Sequence, residues 1–188
     1  MEIKFAGRME DFQPGIFNVL DDRKNERLAR GKPVYNLSIG TPDFLPEPHI
    51  VEALAQAASD PNNYRYSLGE TPELAEAVQR WYQRRYGVGL AADELMAVYG
   101  SQEGLAHIAL TMVDEGDMVL VPDPCYPVFG DGPQIAGANL YYMPQKKENG
   151  YMIRLDEIPE DVAEKAKLMV VSYPNNPTTA MAPDSFYE

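Results

Sequence analysis

The second half of the sequence alternates short, continuous apolar runs with segments of helical periodicity, and this order limits the possible folds more than any other feature. Residues 118–122 and 168–172 are apolar at nearly every position, which is typical of strands buried on both faces. Strands of this kind, separated by helices, form parallel sheets. The sequence therefore predicts an α/β fold, with a mostly parallel sheet and helices on both faces.

The boundaries of the predicted elements follow from periodicity and from the positions of glycine and proline. Strands are predicted over residues 34–39, 95–99, 118–122, 139–143 and 168–173. Helices are predicted over residues 11–30, 49–58, 73–86 and 103–113, with further helical segments within 126–136 and 155–167. The proline-rich residues 41–48 are expected to form an extended loop.

Composition excludes several classes of function. The chain carries 16 Lys and Arg against 29 Asp and Glu, a formal charge of −13, so binding to nucleic acid or to an anionic membrane is disfavoured. Cys125 is the single cysteine, and His49 and His107 lack metal-ligand spacing, so neither a disulfide nor a metal site is expected. The first residues resemble no signal peptide, and a cytoplasmic location is expected.

Ligands of parallel α/β sheets bind at the carboxyl ends of the strands, and the turn at Gly100, Ser101 and Gln102 follows one predicted strand. The backbone N–H groups of Ser101, Gln102 and Glu103 would lie free at the positive end of the next helix, which suits a phosphate. The alternative is that Ser101 is only the N-cap of a core helix.

Two further strand ends carry candidate ligand contacts. Tyr126 lies in a stretch stiffened by prolines, where its ring could stack on a flat aromatic ligand or merely cover the edge of the core. Asn176 precedes a proline and could donate to a ligand oxygen or simply form a turn. Cys125, without a histidine nearby in sequence, is expected to be a packing residue.

Taken in order, residues 34–182 resemble the class I/II aminotransferases of the fold-type I pyridoxal-phosphate enzymes, most closely the diaminopimelate and aspartate aminotransferase-like group. The segment SYPNNPT is the most specific match. The resemblance implies pyridoxal 5'-phosphate as cofactor, held at its phosphate by Gly100, Ser101 and Gln102, at its ring by Tyr126 and at its phenolic oxygen by Asn176. It also implies an N-terminal arm and small-domain segment over residues 1–45 and a partial cofactor-binding large domain over residues 46–188.

The resemblance implies further roles in the first half of the chain. Gly40 matches a glycine whose backbone approaches the substrate carboxylate, although it could be a simple turn glycine. Tyr64, with Tyr66 as the alternative, matches a tyrosine that reaches the cofactor phosphate of the partner subunit, which implies a homodimer. Thr179 stands where the family often has glycine. Amino acids and 2-oxo acids are the implied substrates.

The family's catalytic lysine, which forms a Schiff base with the cofactor, normally follows the asparagine-proline motif by a long interval. No lysine of this chain matches it, so no catalytic residue is assigned. The sequence is therefore expected to be the N-terminal portion of an aminotransferase, inactive by itself and truncated before the lysine. Two alternatives stay open: a non-catalytic binding module with a similar site, and a pyridoxal-phosphate carbon–sulfur lyase on the same fold.

Overall fold

The structure is a computed structural model, which describes residues 3–10, 12, 15–38 and 40–188. Contacts within the chain divide it into two compact units. One unit is Gln13–Ala97, and the other is Val98–Glu188 together with the N-terminal residues up to Phe12. This division falls far from residue 45, and the domain boundary that the family resemblance implies stays a prediction.

The described part of the unit Gln13–Ala97 contains three α-helices: α1 (Ile16–Ala29), α2 (Pro48–Ser59) and α3 (Pro72–Tyr86). Helix α3 shows why its sequence folds locally, since the Thr71 side chain accepts a hydrogen bond from the Leu74 N–H and Gly87 ends the helix in the left-handed conformation. In the described part of this unit no residue is buried. These helices therefore form without a core of their own.

Two predicted strands are wrong. Residues 34–38 form no strand, and Ile39 lies outside the described residues. Residues 95–99 join no sheet, although Leu95 has extended backbone angles. Two backbone N–H groups that could bond to a neighbouring strand donate to carboxylates instead. Ala97 N–H donates to the Glu70 side chain at 3.1 Å, and Tyr99 N–H donates to the Glu103 side chain at 2.6 Å. Apolar sequence does not form a strand without a partner to complete the ladder.

The second unit contains a three-stranded sheet, which confirms the predicted parallel α/β architecture. Its strands are β1 (Met118–Asp123), β2 (Asn139–Pro144) and β3 (Ala166–Met169). The order is β2-β1-β3, and β1 pairs in parallel with both neighbours. The last strand begins two residues earlier than predicted and ends at Met169, although Val170 N–H still donates to the Leu120 carbonyl at 2.9 Å.

Helices cover both faces of this sheet. On one face α4 (Ser101–Met112) and α5 (Val128–Ile135) enclose a core that includes Val119 and Val121, both fully buried. On the other face Leu120 and Met143 pack with residues around α6 (Glu160–Lys165). Consecutive residues of β1 thus point into two different cores, which explains why its sequence is continuously apolar.

Close packing of α4 against α5 depends on Gly132. A Cβ atom at this position would lie 3.1 Å from the Ala106 Cα and 3.2 Å from the carbonyl oxygens of Ala106 and Leu105. The two helices therefore approach each other as closely as backbone allows. This contact holds the N-terminus of α4 in place relative to the end of β1.

The outer edge of β3 has no strand beside it in the described part of the chain. An apolar cavity of about 180 Å³ runs along this edge and is lined by residues of α4, α5 and β3, among them Ile108, Phe129 and Leu168. Its lining also includes Val170 and Val171, which directly follow the carboxyl end of β3. Among the described residues, no helix is both long and apolar enough to cross a lipid bilayer.

Candidate cofactor-binding site

Among the described residues, backbone donors at the N-terminus of α4 have no partners. Gly100 precedes the helix with φ +95°, a conformation that glycine adopts far more readily than other residues. Ser101 is the first helical residue, so the N-cap is Gly100 and the alternative of a serine N-cap is wrong. The N–H groups of Ser101 and Gln102 have no acceptor in the described part of the chain, whereas that of Glu103 donates to the Gly100 carbonyl at 3.1 Å. The prediction of three free donors is thus corrected to two.

The carboxylate of Glu103 stabilises this turn from inside the helix. It accepts the Tyr99 N–H, and its other oxygen lies 3.9 Å from the His107 ring nitrogen Nδ1. A carboxylate in the first turn also interacts favourably with the helix dipole. Glu103 therefore fixes the backbone on both sides of Gly100 while leaving the next two N–H groups free.

Tyr126 is brought to this turn by the loop that follows β1. Its hydroxyl donates to the Gln102 side-chain oxygen at 3.1 Å, and its half-buried ring meets Phe129 edge to face, with the ring centroids 6.2 Å apart. The structure thus joins two of the residues that sequence selected separately. An aromatic ring lies one hydrogen bond away from a helix N-terminus with free donors.

Asn176 lies on the tight turn that follows β3. Its side chain is exposed and has no hydrogen-bond partner among the described residues. The turn is closed by two backbone hydrogen bonds, from Thr179 N–H to the Asn175 carbonyl at 2.7 Å and from Asn175 N–H to the Ala180 carbonyl at 2.9 Å. Thr179 has φ +59°, a left-handed conformation that explains why glycine suits this position.

Sequence reasoning missed Asn175, which is the buried member of the asparagine pair. Only 2% of its surface is exposed. Its side-chain nitrogen lies 2.9 Å from Gln145 Oε1, 3.0 Å from Thr178 Oγ1 and 3.3 Å from the Pro124 carbonyl. Gln145 follows β2 directly and was missed as well. The sequence does contain a signal for Gln145, because a polar residue directly after an apolar strand is a candidate site residue. Candidates were sought in this way at the ends of β1 and β3, but not at the end of β2.

Gln145 extends this set of contacts to the other side of the sheet. Its side-chain nitrogen donates to the Tyr173 hydroxyl at 3.0 Å, and that hydroxyl also accepts the Ile153 N–H at 2.9 Å. Its backbone N–H donates to the Asp123 carbonyl at 2.7 Å. Hydrogen bonds therefore connect the segments that follow all three strands at their carboxyl ends.

Cys125 lies between the end of β1 and Tyr126, with its side chain partly buried. Burial, and then the nearby carboxylates of Asp123 and Asp131, raise the pKa of the Cys125 thiol to about 11. A thiol with so high a pKa is a poor nucleophile near neutral pH. The chemistry at this position agrees with the expected packing role.

The remaining two predicted site residues lie in the unit Gln13–Ala97. A Cβ atom built on Gly40 would meet no atom within 4 Å, so nothing in the described chain requires glycine there. The Tyr64 hydroxyl donates to the Ala58 carbonyl, whereas the ring of Tyr66 is fully exposed. The roles of Gly40 and of either tyrosine stay predictions.

Comparison with known proteins gives a consistent result. Residues 32–188 match the family described as aminotransferase class I and II. The LL-diaminopimelate aminotransferase of Dehalococcoides mccartyi (strain ATCC BAA-2266 / KCTC 15142 / 195) is 42% identical over 188 residues, covering 99% of this chain and 48% of that protein. The enzyme of the same name from Aquifex aeolicus (strain VF5) is 42% identical over 187 residues, covering 98% and 48%. The chain spans about half the length of the curated relatives it matches.

Solved structures agree with the sequence relatives. A substrate-bound BacF structure from Bacillus subtilis superposes with a TM-score of 0.90 at 38% identity, covering 100% of this chain and 48% of that chain. A probable N-succinyldiaminopimelate aminotransferase from Thermus thermophilus gives a TM-score of 0.85 at 36% identity, covering 92% and 47%. The family match extends over most of the sequence, and the chain belongs to the class I and II aminotransferases.

Proposed function

We propose that this chain forms part of the pyridoxal 5'-phosphate site of an aminotransferase, which moves an amino group between an amino acid and a 2-oxo acid. The observation that carries the proposal is the hydrogen bond from Tyr126 to Gln102. This hydrogen bond joins an aromatic ring to a helix N-terminus with two N–H groups that are unpaired among the described residues. A ligand with a flat ring and a phosphate would need both features, the side-chain ring for stacking and the N–H groups for the phosphate.

The donor set of the site fits each part of this cofactor. Unpaired N–H groups of Ser101 and Gln102 bind the phosphate, next to Gly100, and the Tyr126 ring stacks on the pyridine. The free side-chain amide of Asn176 donates to the phenolic oxygen. When bound, pyridoxal phosphate serves as an electron sink for reactions at the substrate α-carbon. The residues of this chain bind and orient it, and the catalytic lysine is assigned to none of them.

Other properties follow from family membership and are part of the proposal. The relatives are named for LL-diaminopimelate, which is therefore the first amino donor to test. Gly40 contributes a backbone contact to the substrate carboxylate. Tyr64, or alternatively Tyr66, reaches the phosphate of a second subunit in a cytoplasmic homodimer.

The test uses pyridoxine 5'-phosphate, which keeps the phosphate, ring and phenolic oxygen but has no aldehyde and so binds without any lysine. Ser101 is changed to proline, which is compatible with the first position of a helix and removes the N–H donor together with the hydroxyl. The Gly100 ψ of 144° also suits a residue before proline. Ser101→Ala is the matched control, because it loses the hydroxyl and keeps the N–H.

A charge-assisted hydrogen bond to phosphate contributes about 1.5–3 kcal/mol, so the Ser101→Pro variant should bind at least about tenfold more weakly than Ser101→Ala. Equilibrium dialysis measures both affinities. Equal binding by the two variants, or no saturable binding by the unsubstituted chain, would refute the proposed phosphate site.

A further inference from the structure

Asn175 occupies an unusual position, because it is a buried polar residue that does not itself face the proposed ligand. Its side chain and that of Gln145, which is 4% exposed, are the buried polar side chains of the described residues. Their hydrogen bonds reach the Pro124 carbonyl on the loop after β1 and Thr178 on the turn after β3. The two segments joined in this way carry the two proposed ring contacts, Tyr126 and Asn176.

The contacts fix the orientation of the Asn175 amide. Two of its three neighbours, the Pro124 carbonyl and Gln145 Oε1, are oxygen atoms that only accept, so the nitrogen must face them. The nitrogen has two hydrogens for three acceptors, and the Thr178 hydroxyl is the one that has an alternative role as a donor. The amide oxygen Oδ1 is buried, and no described residue donates to it. The hydrogen bonds donated by its side-chain nitrogen therefore hold Asn175 in place.

We propose that Asn175 is a positioning residue, whose amide nitrogen holds the Asn176 turn in register with the Tyr126 loop so that both contact the same ring. This inference rests on the proposed cofactor site. Loss of the Asn175 donor would leave the Pro124 carbonyl and Gln145 Oε1 without this hydrogen bond. The Asn176 turn would then no longer be tied to the Tyr126 loop. The Asn176 contact with the phenolic oxygen would then be lost, while phosphate binding at α4 would remain.

The decisive variant is Asn175→Asp, which keeps the shape of the side chain but turns the donor into an acceptor facing two oxygens. Asn175→Ala is a second variant that avoids a buried charge. Thr178→Val is the matched control. It removes the Thr178 hydroxyl as an acceptor, while the Pro124 carbonyl and Gln145 Oε1 still accept the two hydrogens of the Asn175 amide. Affinities of all variants are measured for two ligands, pyridoxine 5'-phosphate and its 3-deoxy analogue, which differ only in the phenolic oxygen.

The unsubstituted chain and Thr178→Val should prefer the 3-hydroxyl ligand by about tenfold, which corresponds to one hydrogen bond. Both Asn175 variants should prefer it by less than about twofold and bind the 3-deoxy ligand within about threefold of the unsubstituted chain. Retention of 3-deoxy binding shows that the variants still fold, since it requires the α4 turn. This loss of discrimination is a result that general destabilisation would not produce.

One measurement requires no substitution. In spectra of ¹⁵N-labelled chain, solvent exchange of the Asn175 side-chain amide should slow when the 3-hydroxyl ligand binds and should be unaffected by inorganic phosphate. Three results would overturn the positioning role alone. They are unchanged amide exchange on binding of the 3-hydroxyl ligand, Asn175 variants that still discriminate between the two ligands, and Asn175 variants that lose affinity for both ligands equally. Absence of binding of both ligands to the unsubstituted chain would instead refute the cofactor site, and this role with it.

Discussion

Replacement of Gly132 by alanine tests whether the contact between α4 and α5 is as tight as the structure has it. The new Cβ would lie 3.1–3.2 Å from backbone atoms of Ala106 and Leu105, against an optimum of about 3.5–4.0 Å. Because those atoms belong to a helix backbone, no side chain can rotate away to relieve the contact. The two helices must separate by a few tenths of an ångström, at the expense of the core between them.

The size of the effect follows from opposing contributions. Overpacking in a well-packed core costs about 1–3 kcal/mol, and a Cβ before Pro133 further disfavours the helical conformation. Alanine in place of glycine returns up to about 1 kcal/mol of helix propensity. Gly132→Ala should therefore lower the free energy of unfolding by about 1–2 kcal/mol. Gly104→Ala in α4 is the control, since its Cβ would lie 3.7 Å from Val98 methyl groups, an ordinary contact, and it should stabilise by about 0.5–1 kcal/mol.

Urea unfolding measures the difference, with alkylation of Cys125 as the probe because the single cysteine reports on the unit that contains both helices. With a urea dependence of about 1–3 kcal/mol per molar, the midpoints of the two variants should differ by about 1 M. A Gly132→Ala variant as stable as Gly104→Ala would show that α4 and α5 are farther apart than the structure has them.

The other predictions concern the same unit. The rate of Cys125 alkylation by iodoacetamide should rise with pH around 11 in the folded chain and around 9.0 in urea, and Asp131→Asn should lower the folded value. Burial raises the pKa of Asp131, so its ionisation weakens the fold as pH rises, and the urea midpoint of Asp131→Asn should exceed the parent's increasingly from acid to neutral pH. Tyr126→Phe should bind pyridoxine 5'-phosphate within about threefold of the parent, whereas Tyr126→Ala should lose about tenfold by dialysis; equal losses would exclude stacking. Thr179→Gly should raise the thermal midpoint, since it relieves a left-handed conformation that costs threonine about 1 kcal/mol.

The sequence predicted those elements whose partners lie close by along the chain. Strands β1 and β2 and helices α2, α3 and α4 follow the apolar patterns to within two residues. Residues 95–99 have an equally apolar pattern, but they form no ladder because a strand is defined by a neighbour that local sequence does not specify. The same limit explains the failure at residues 34–38.

The location of a candidate-site residue could be predicted where it depends on local sequence, and not where it depends on a distant contact. Gly100 and Ser101 follow from the turn between a strand-like segment and a helix, and the structure places both at the N-terminus of α4. The choice between Asn175 and Asn176 needed knowledge of which side chain is buried. The buried Asn175 side chain donates to Gln145, which is 30 residues away in sequence, and local sequence does not specify such a contact.

The strand order has a consequence for how long each ring contact would survive as the fold weakens. Strand β1 has a neighbour on both sides, and those of its amides that face the six-residue strand β2 exchange with solvent only when the sheet itself opens. Strand β3 has four residues and, in the described part of the chain, is paired on one side only, through three residue pairs, so it should fray first. Under mild denaturation, amide exchange should therefore show that the turn carrying Asn176 unfolds before the loop carrying Tyr126. The two proposed ring contacts thus differ in support: Tyr126 follows the central strand of the sheet, and Asn176 follows a strand at its edge.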